Sequence, residues 1–339
     1  MKKLFIFMIG LLLVLLSACS NGNQSNQTAT NKNDGKTKGL QKVTVMLDWY
    51  PNAVHSFLYV AQEKGYFKEQ GLDVNIEMPA DTNDPLKLVA AGKIDIALSY
   101  EPEIVIARDQ NIPVQSFAAI VRHPLNVLMV PSDGPVKSPK DLVSGKTVGY
   151  PSVPLDEAIV QTMVKTDGGD PSKVKMVDVG WDLIPAMATK KTDGLIGGYL
   201  NHEKLLLDKE GHPMTAFSPE KYGVPDYYEL VAVAGEKALK QNPEVFKKFM
   251  AAASKGQQYV QTHPEEGLDI LLKHEDKSSP LDKQVETKSL QILLPMMDAK
   301  DKPFGYQDPT TWQNISKWLS DSKVIKTNVK ATDAFVNLK

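Results

Sequence analysis

The stretch "LDWYPNAVHSFLYVAQEKGYFKEQGLDV", Leu47 to Val74, decides how the rest of the chain is read. The apolar run Val43 to Leu47 has the composition of a short strand. From His55 to Gln70 the spacing of Leu58, Ala61 and Gly65 is helical, and Gly71-Leu72-Asp73-Val74 opens a second strand, which predicts a βαβ unit. Between first strand and helix lies Asp48-Trp49-Tyr50-Pro51-Asn52. Two large rings at a strand exit are poor material for a solvated loop and need a packing partner or a ligand. Pro51 fixes its own φ and biases Tyr50 to an extended conformation, so the turn is held. Asn52 is suited to cap the helix and also carries a donor and an acceptor for a ligand. From spacing alone two readings of Trp49 stand: a wall for a flat ligand, or a plug in a seam between lobes.

Outward from this unit the alternation continues. A helix is expected over 84–91, with strands at 94–99, 114–120 and 127–130; after the turn-rich Pro131-Ser132-Asp133-Gly134-Pro135 the pattern starts again. Strands follow at 147–149, 174–178, 195–197 and 229–234, helices at 155–166 and 183–189, and the chain reads as helical from Pro243. "GKIDIALSY", Gly92 to Tyr100, and "KKTDGLIGGY", Lys190 to Tyr199, share Lys, one residue, Asp and a strand closing on a tyrosine, an internal echo of two related lobes. About 300 residues are more than one core usually holds. The expected fold is α/β and two-lobed, with a hinge and an interlobe cleft. Lobe one spans 43–131 and 229–339, lobe two 132–228, and the crossovers fall near Asn126 to Pro131 and Tyr228 to Ala234.

The first forty residues set the compartment. Lys2-Lys3, a mostly apolar run from Leu4 to Ala18, and Leu16-Ser17-Ala18-Cys19 read as a signal peptide over 1–18 ending in a lipobox, with Cys19 as lipidation site. Residues 19–42 are a polar tether too poor in apolar residues to fold. Removing 1–18 takes away two lysines, so the formal charge moves from -2 to -4. The chain is expected to be a monomer on the outer face of the cell membrane, held by its lipid.

Several chemistries lose support. There is no basic block with interleaved aromatics for nucleic acid. The one cysteine leaves no disulfide, and the six histidines show no pair at ligand spacing, so no metal is expected. No cofactor motif stands out, and scattered acids give no catalytic pair. Of 39 basic residues only Arg108 and Arg122 are arginine. Anion sites favour that planar fork, so the anion-binder reading is weakened. The strand exits instead offer Trp49, Tyr50, Tyr100, Tyr150, Tyr199, Tyr227 and Tyr228, which suit a flat heterocycle. The candidate ligand-binding set is Trp49, Asn52, His55, Tyr100, Glu101, Tyr150, Tyr199, Tyr227 and Glu229, with Tyr150 and Tyr199 opposite Trp49. Glu229 and Asp226 are the candidate carboxylates for the edge of the ring.

The opening stretch, "AAGKIDIAL" and "SPKDLVSGKTVGYPS" together resemble the NMT1/THI5-like family of thiamin-pyrimidine proteins, from about Val43 to about His263. The D-W-x-P-N segment is the most specific part; G-K-x-D and G-Y-F-x-x-x-G-L are shared with sulfonate and nitrate binders. The resemblance implies a periplasmic-binding-protein-like (type II) α/β fold and a substrate-binding lipoprotein of an ABC importer for formylaminopyrimidine or a hydroxymethylpyrimidine-like ring, working with a permease and an ATPase in thiamin salvage. The alternatives are a binder of a sulfonate, nitrate or riboflavin-like ring, or a pyrimidine synthase-like enzyme. The synthase branch has a pyridoxal phosphate lysine after the G-K-x-D strand and a cysteine-rich iron motif. Here Ser99 stands at the first place and Gly223-Val224-Pro225-Asp226-Tyr227-Tyr228-Glu229 at the second, so the chain is expected not to be an enzyme.

Overall fold

Two sheets carry the architecture. The strands in chain order are β1 (Gln41–Met46), β2 (Leu72–Glu77), β3 (Ile96–Ser99), β4 (Val114–Val121), β5 (Asn126–Pro131), β6 (Thr147–Tyr150), β7 (Lys175–Asp178), β8 (Gly194–Tyr199), β9 (Met214–Phe217) and β10 (Leu230–Gly235). The helices are α1 (Ser56–Glu63), α2 (Tyr66–Glu69), α3 (Asp84–Ala90), α4 (Glu101–Asp109), α5 (Pro154–Thr166), α6 (Leu183–Ala188), α7 (Glu203–Lys209), α8 (Glu236–Gln241), α9 (Pro243–Thr262), α10 (Pro264–Leu272), α11 (Lys283–Met296), α12 (Pro309–Asp321) and α13 (Ala331–Ala334). This computed structural model describes residues 39–338. Cys19 and the signal peptide expected before it lie outside the described residues, as does most of the tether.

The first sheet has the order β2-β1-β3-β10-β4 and the second β7-β6-β8-β5-β9. In each, the first three strands are parallel, and the fourth runs antiparallel to both of its neighbours. The two Lys-x-Asp strands, β3 and β8, hold the same third position. Asp95 accepts from the Thr44 N–H of β1 at 2.8 Å, and Asp193 accepts from the Thr147 N–H of β6 at 2.9 Å. The echo in sequence is therefore one structural device used twice, a carboxylate tying a strand start to its parallel neighbour.

One boundary differs from expectation. β5 belongs to the second sheet, so the first crossing lies between Val121 and Asn126, not after residue 131. A short apolar strand says nothing about which sheet it joins; its partners decide that, here β8 and β9. The chain returns to the first sheet at β10.

The core of the first lobe packs α1, α9 and α10 against one sheet face through Phe57, Leu58, Phe246, Phe249 and Leu268. The α1 and α9 backbones approach closely at Gly256, where a Cβ would stand 2.1 Å from the Phe57 carbonyl oxygen. The expected helix over 55–70 is three pieces: a 3-10 turn at Ala53–His55, then α1 and α2. The carboxyl ends of β1, β3, β6 and β8 face one another across the seam, where ligands collect in open α/β sheets.

Candidate functional site

The turn after β1 is held by the hydrogen bonds of Asp48, Asn52 and His55. Asn52 caps the 3-10 turn, its Oδ1 accepting from the Val54 N–H at 3.1 Å and its Nδ2 donating to the Tyr50 carbonyl at 3.1 Å. The Asn52 N–H donates to His55 Nδ1 at 3.2 Å. That places the ring hydrogen on Nε2, which donates to Asp48 Oδ1 at 3.0 Å. Asp48 Oδ2 accepts from the Tyr100 hydroxyl at 3.2 Å. His55 is wholly buried and does not reach the cleft. It holds Asp48 and the turn from behind.

Trp49 meets the second lobe. Its ring lies 4.0 Å from that of Trp181, centroid to centroid, at an interplanar angle of 43°. Trp49 also borders a slot between the lobes together with Asn52, Tyr100, Tyr199 and Glu229, and its buried Nε1 has no hydrogen-bond partner among the described residues. Tyr100 and Tyr199 meet edge to face, 6.4 Å apart. Five of the nine expected residues are thus brought together.

The other four are not. Tyr150 packs beside the slot without bordering it, and the ring facing Trp49 from lobe two is Trp181, which follows β7. Tyr227 is 0 % exposed and sits behind Glu229, to which its hydroxyl donates at 3.4 Å. Glu101 is buried at the start of α4, where its Oε2 accepts from the Tyr228 N–H at 2.6 Å. Alternation along a strand or turn does not say how deep the next layer lies, so Glu101 and Tyr227 join the core instead of the surface, and His55 the layer behind the turn. Of the two edge carboxylates, Asp226 is exposed and pairs with His123 at 3.0 Å, away from the slot. Glu229 borders the slot but also clamps the crossover, its Oε2 accepting from the N–H groups of Leu125 at 2.6 Å and Asn126 at 2.9 Å.

The structure adds residues that sequence reasoning passed over. Asn126, Asp156, Asn201, His202 and Glu203 all border the slot. His202 Nδ1 lies 2.8 Å from Glu203 Oε1, and Nε2 lies 3.6 Å from Glu286 Oε1 of lobe one and 3.4 Å from the Tyr50 hydroxyl. Burial alone would lower the His202 pKa, but the Glu203 and Glu286 carboxylates outweigh it and raise it above its ordinary value. The closed seam is further tied by Asn201 Nδ2 donating to Ser289 Oγ at 2.9 Å, by the Thr82 hydroxyl donating to the Pro151 carbonyl at 3.2 Å, and by the Lys209–Asp282 ion pair. Burial is also the main cause that pushes Glu229 up to about 7 and Asp156 up to about 8.

Among the described residues bordering the slot there are four acids, Asp48, Asp156, Glu203 and Glu229, and no lysine or arginine. Arg108 pairs with Glu236, and Arg122 lies over the Tyr228 ring. What the arrangement offers is aromatic surface, amide and carboxyl groups, and a hinge.

The profile of the NMT1/THI5 like family matches residues 52–267. The chain belongs to the NMT1/THI5-like family. Within it, the chain is 42% identical to the formylaminopyrimidine-binding protein of Halalkalibacterium halodurans over 339 residues, 100% of this chain and 99% of that one. It is 24% identical to a 4-amino-5-hydroxymethyl-2-methylpyrimidine phosphate synthase of Legionella pneumophila, over 87% of this chain and 91% of the other. Among solved structures, the alkanesulfonate-binding protein SsuA of Xanthomonas axonopodis pv. citri, bound to MOPS, superposes with a TM-score of 0.68 at 10% identity, covering 88% and 99% of the two chains. That likeness is one of fold. This NMT1/THI5-like chain has the two-lobed binding-protein architecture expected of it.

Proposed function

We propose that this chain is the extracytoplasmic solute-binding component of an ABC importer, and that its ligand is an aminopyrimidine derived from thiamin, formylaminopyrimidine or a hydroxymethylpyrimidine-like ring. The observation that carries the reading is a closed interlobe slot with aromatic walls, four acids and no lysine or arginine on its lining. A sulfonate or nitrate would bring its charge among carboxyl groups without a guanidinium or ammonium to meet it, whereas an aminopyrimidine brings N–H donors and a ring to stack. The 42% identical relative named for binding formylaminopyrimidine supports the same reading.

The chain binds and releases without turnover. Ser99 stands where the synthase branch has its lysine, and its side chain cannot form a Schiff base. Ligand held between the lobes stabilises the closed form, which a permease and its ATPase then engage. Cys19 carries the lipid anchor, and replacing it, Cys19→Ser, moves the protein from the detergent phase to the aqueous phase; a variant that stays in the detergent phase removes the anchor from this account.

Titration calorimetry tests the ligand. Binding of 4-amino-5-hydroxymethyl-2-methylpyrimidine or its formylaminopyrimidine relative is expected, with ethanesulfonate, nitrate and riboflavin silent at the same concentrations. Tighter binding of any of those three sinks the proposal.

A further inference from the structure

Asp156 differs from the other acids around the slot in having a buried oxygen with no hydrogen-bond partner among the described residues. It stands in the first turn of α5 and is 1 % exposed. Asp48 is occupied by His55 and Tyr100, Glu203 by His202 and the Tyr199 N–H, and Glu229 by the crossover. Asp156 borders the slot, and its Oδ2 is buried with no partner among the described residues. Oδ2 packs closely against Gly197 and Pro151, and only a residue without a Cβ fits at 197. A Cβ there would come within 2.8 Å of Oδ2 and 2.3 Å of Pro151 Cδ.

The orientation of the carboxyl follows from its neighbour. The Gly197 N–H, which can only donate, gives its hydrogen to Asn126 Oδ1 at 2.8 Å. The Asn126 Nδ2 therefore faces Asp156 and donates to Oδ1 at 2.7 Å. The groups around the carboxyl add no cation: Glu103 from α4, Glu157 beside it in α5, Glu229 before β10, and the hydroxyls of Tyr150 and Tyr227. Burial is the main cause that pushes Asp156 up to about 8, against the Asn126 hydrogen bond and with the Glu103, Glu229 and Glu157 carboxylates adding to the rise; the proton is held on the acid side of that value, and Oδ2 carries it because Oδ1 receives an N–H. A neutral carboxyl presents a donor and an acceptor side by side, and so does the amidine edge of an aminopyrimidine, in the opposite order.

We propose that Asp156 is the residue that reads the edge of the ring, its Oδ2–H donating to a ring nitrogen while Oδ1 accepts from the adjacent exocyclic amine. This rests on the aminopyrimidine reading above. It also ties recognition to the hinge, because Asn126, bonded to Asp156 through its side chain, donates its own N–H to Glu229 on the returning crossover. An amine that engages Oδ1 thus acts on the segment around which the lobes close.

The test uses calorimetry with two probes, 4-amino-5-hydroxymethyl-2-methylpyrimidine and the same ring with a methyl group replacing the 4-amine. Asp156→Ala is expected to weaken the amine probe about tenfold or more, and the methyl probe, which keeps only the ring-nitrogen contact, several-fold less than that. Asp156→Asn keeps the shape, an N–H donor and the acceptor, so it binds the amine probe within about threefold of wild type at pH 6.5. Wild-type affinity falls several-fold between pH 6.5 and 9.5 as the proton on Oδ2 is lost, and the Asn variant, in which only the other slot acids such as Glu229 still titrate, falls clearly less over that range. Equal losses on both probes, no loss in the folded Ala variant, or a pH profile shared by wild type and Asn overturns the assignment. If wild type binds neither probe, the aminopyrimidine reading falls and this proposal with it; if wild type binds and Asp156→Ala is unaffected, only this proposal falls.

Discussion

Trp49 answers to both descriptions that spacing left open: it touches the other lobe through Trp181, and it borders the slot. Within lobe one the capped turn at Asn52 holds the Trp49 backbone, and the contact with Trp181 adds to this where the two lobes meet. Trp49→Ala is expected to weaken aminopyrimidine binding by about tenfold or more, from lost stacking and lost burial. Trp181→Ala acts through Trp49 and costs less, about three- to tenfold. Calorimetry on folded protein decides it, since unchanged affinity in Trp49→Ala would leave the ring as interlobe packing alone. Much at this scale was legible from residues: Pro51 and Asn52 announced a capped, restrained turn, and the dearth of arginine pointed away from anions. Trp181 and Asp156 were not. An acid in the first turn of a helix reads as solvated, and only the meeting of α4, α5 and the crossovers takes it out of water.

At the scale of elements, the β1-α1-β2 unit and the two Lys-x-Asp strands could be read directly, because β3 and β8 are largely buried runs of apolar and small residues and the edge strand β2 alternates apolar and polar residues, each set off by turn residues. The assignment of β5 to the second sheet could not, since pairing is a property of two segments and not of either one. Helix contacts are equally tertiary. Gly256 looks like a helix-weakening residue in the middle of α9, yet it is the point where α9 touches the Phe57 carbonyl of α1. Gly256→Ala must push the helices apart and is expected to destabilise the protein by about 2 kcal/mol or more. Urea denaturation measures this, and a loss under about 0.5 kcal/mol would mean that the α1–α9 approach is slack. The folded fraction should bind ligand within about twofold of wild type, since Gly256 lies away from the slot.

For the whole molecule, the buried acids set how stability responds to pH. Glu103 is pushed up to about 7, Glu229 to about 7 and Asp156 to about 8, in each case mainly by burial. These groups bind protons more tightly folded than unfolded. Their cost is therefore absent below the ordinary carboxyl range, grows from about pH 4 to about pH 8, and is constant above that. Glu203 works in the other direction: its pKa is lowered despite burial, chiefly by His202, so its contribution is lost in acid. Melting temperature should peak on the acid side of neutrality, near pH 5 to 6, and fall by several degrees by pH 9. Thermal scans across that range check it, and a maximum at or above pH 8 would contradict it. The order of the first sheet has a consequence for how the protein is made. β10 lies in the middle of that sheet, between β3 and β4, yet it is the last strand of the chain to be synthesised. The nascent polypeptide can finish the second sheet once residue 217 has emerged, while the first stays split until residue 235 is out. The inserted lobe is thus completed before the lobe that encloses it in sequence, and the cleft closes only when the end of translation is near.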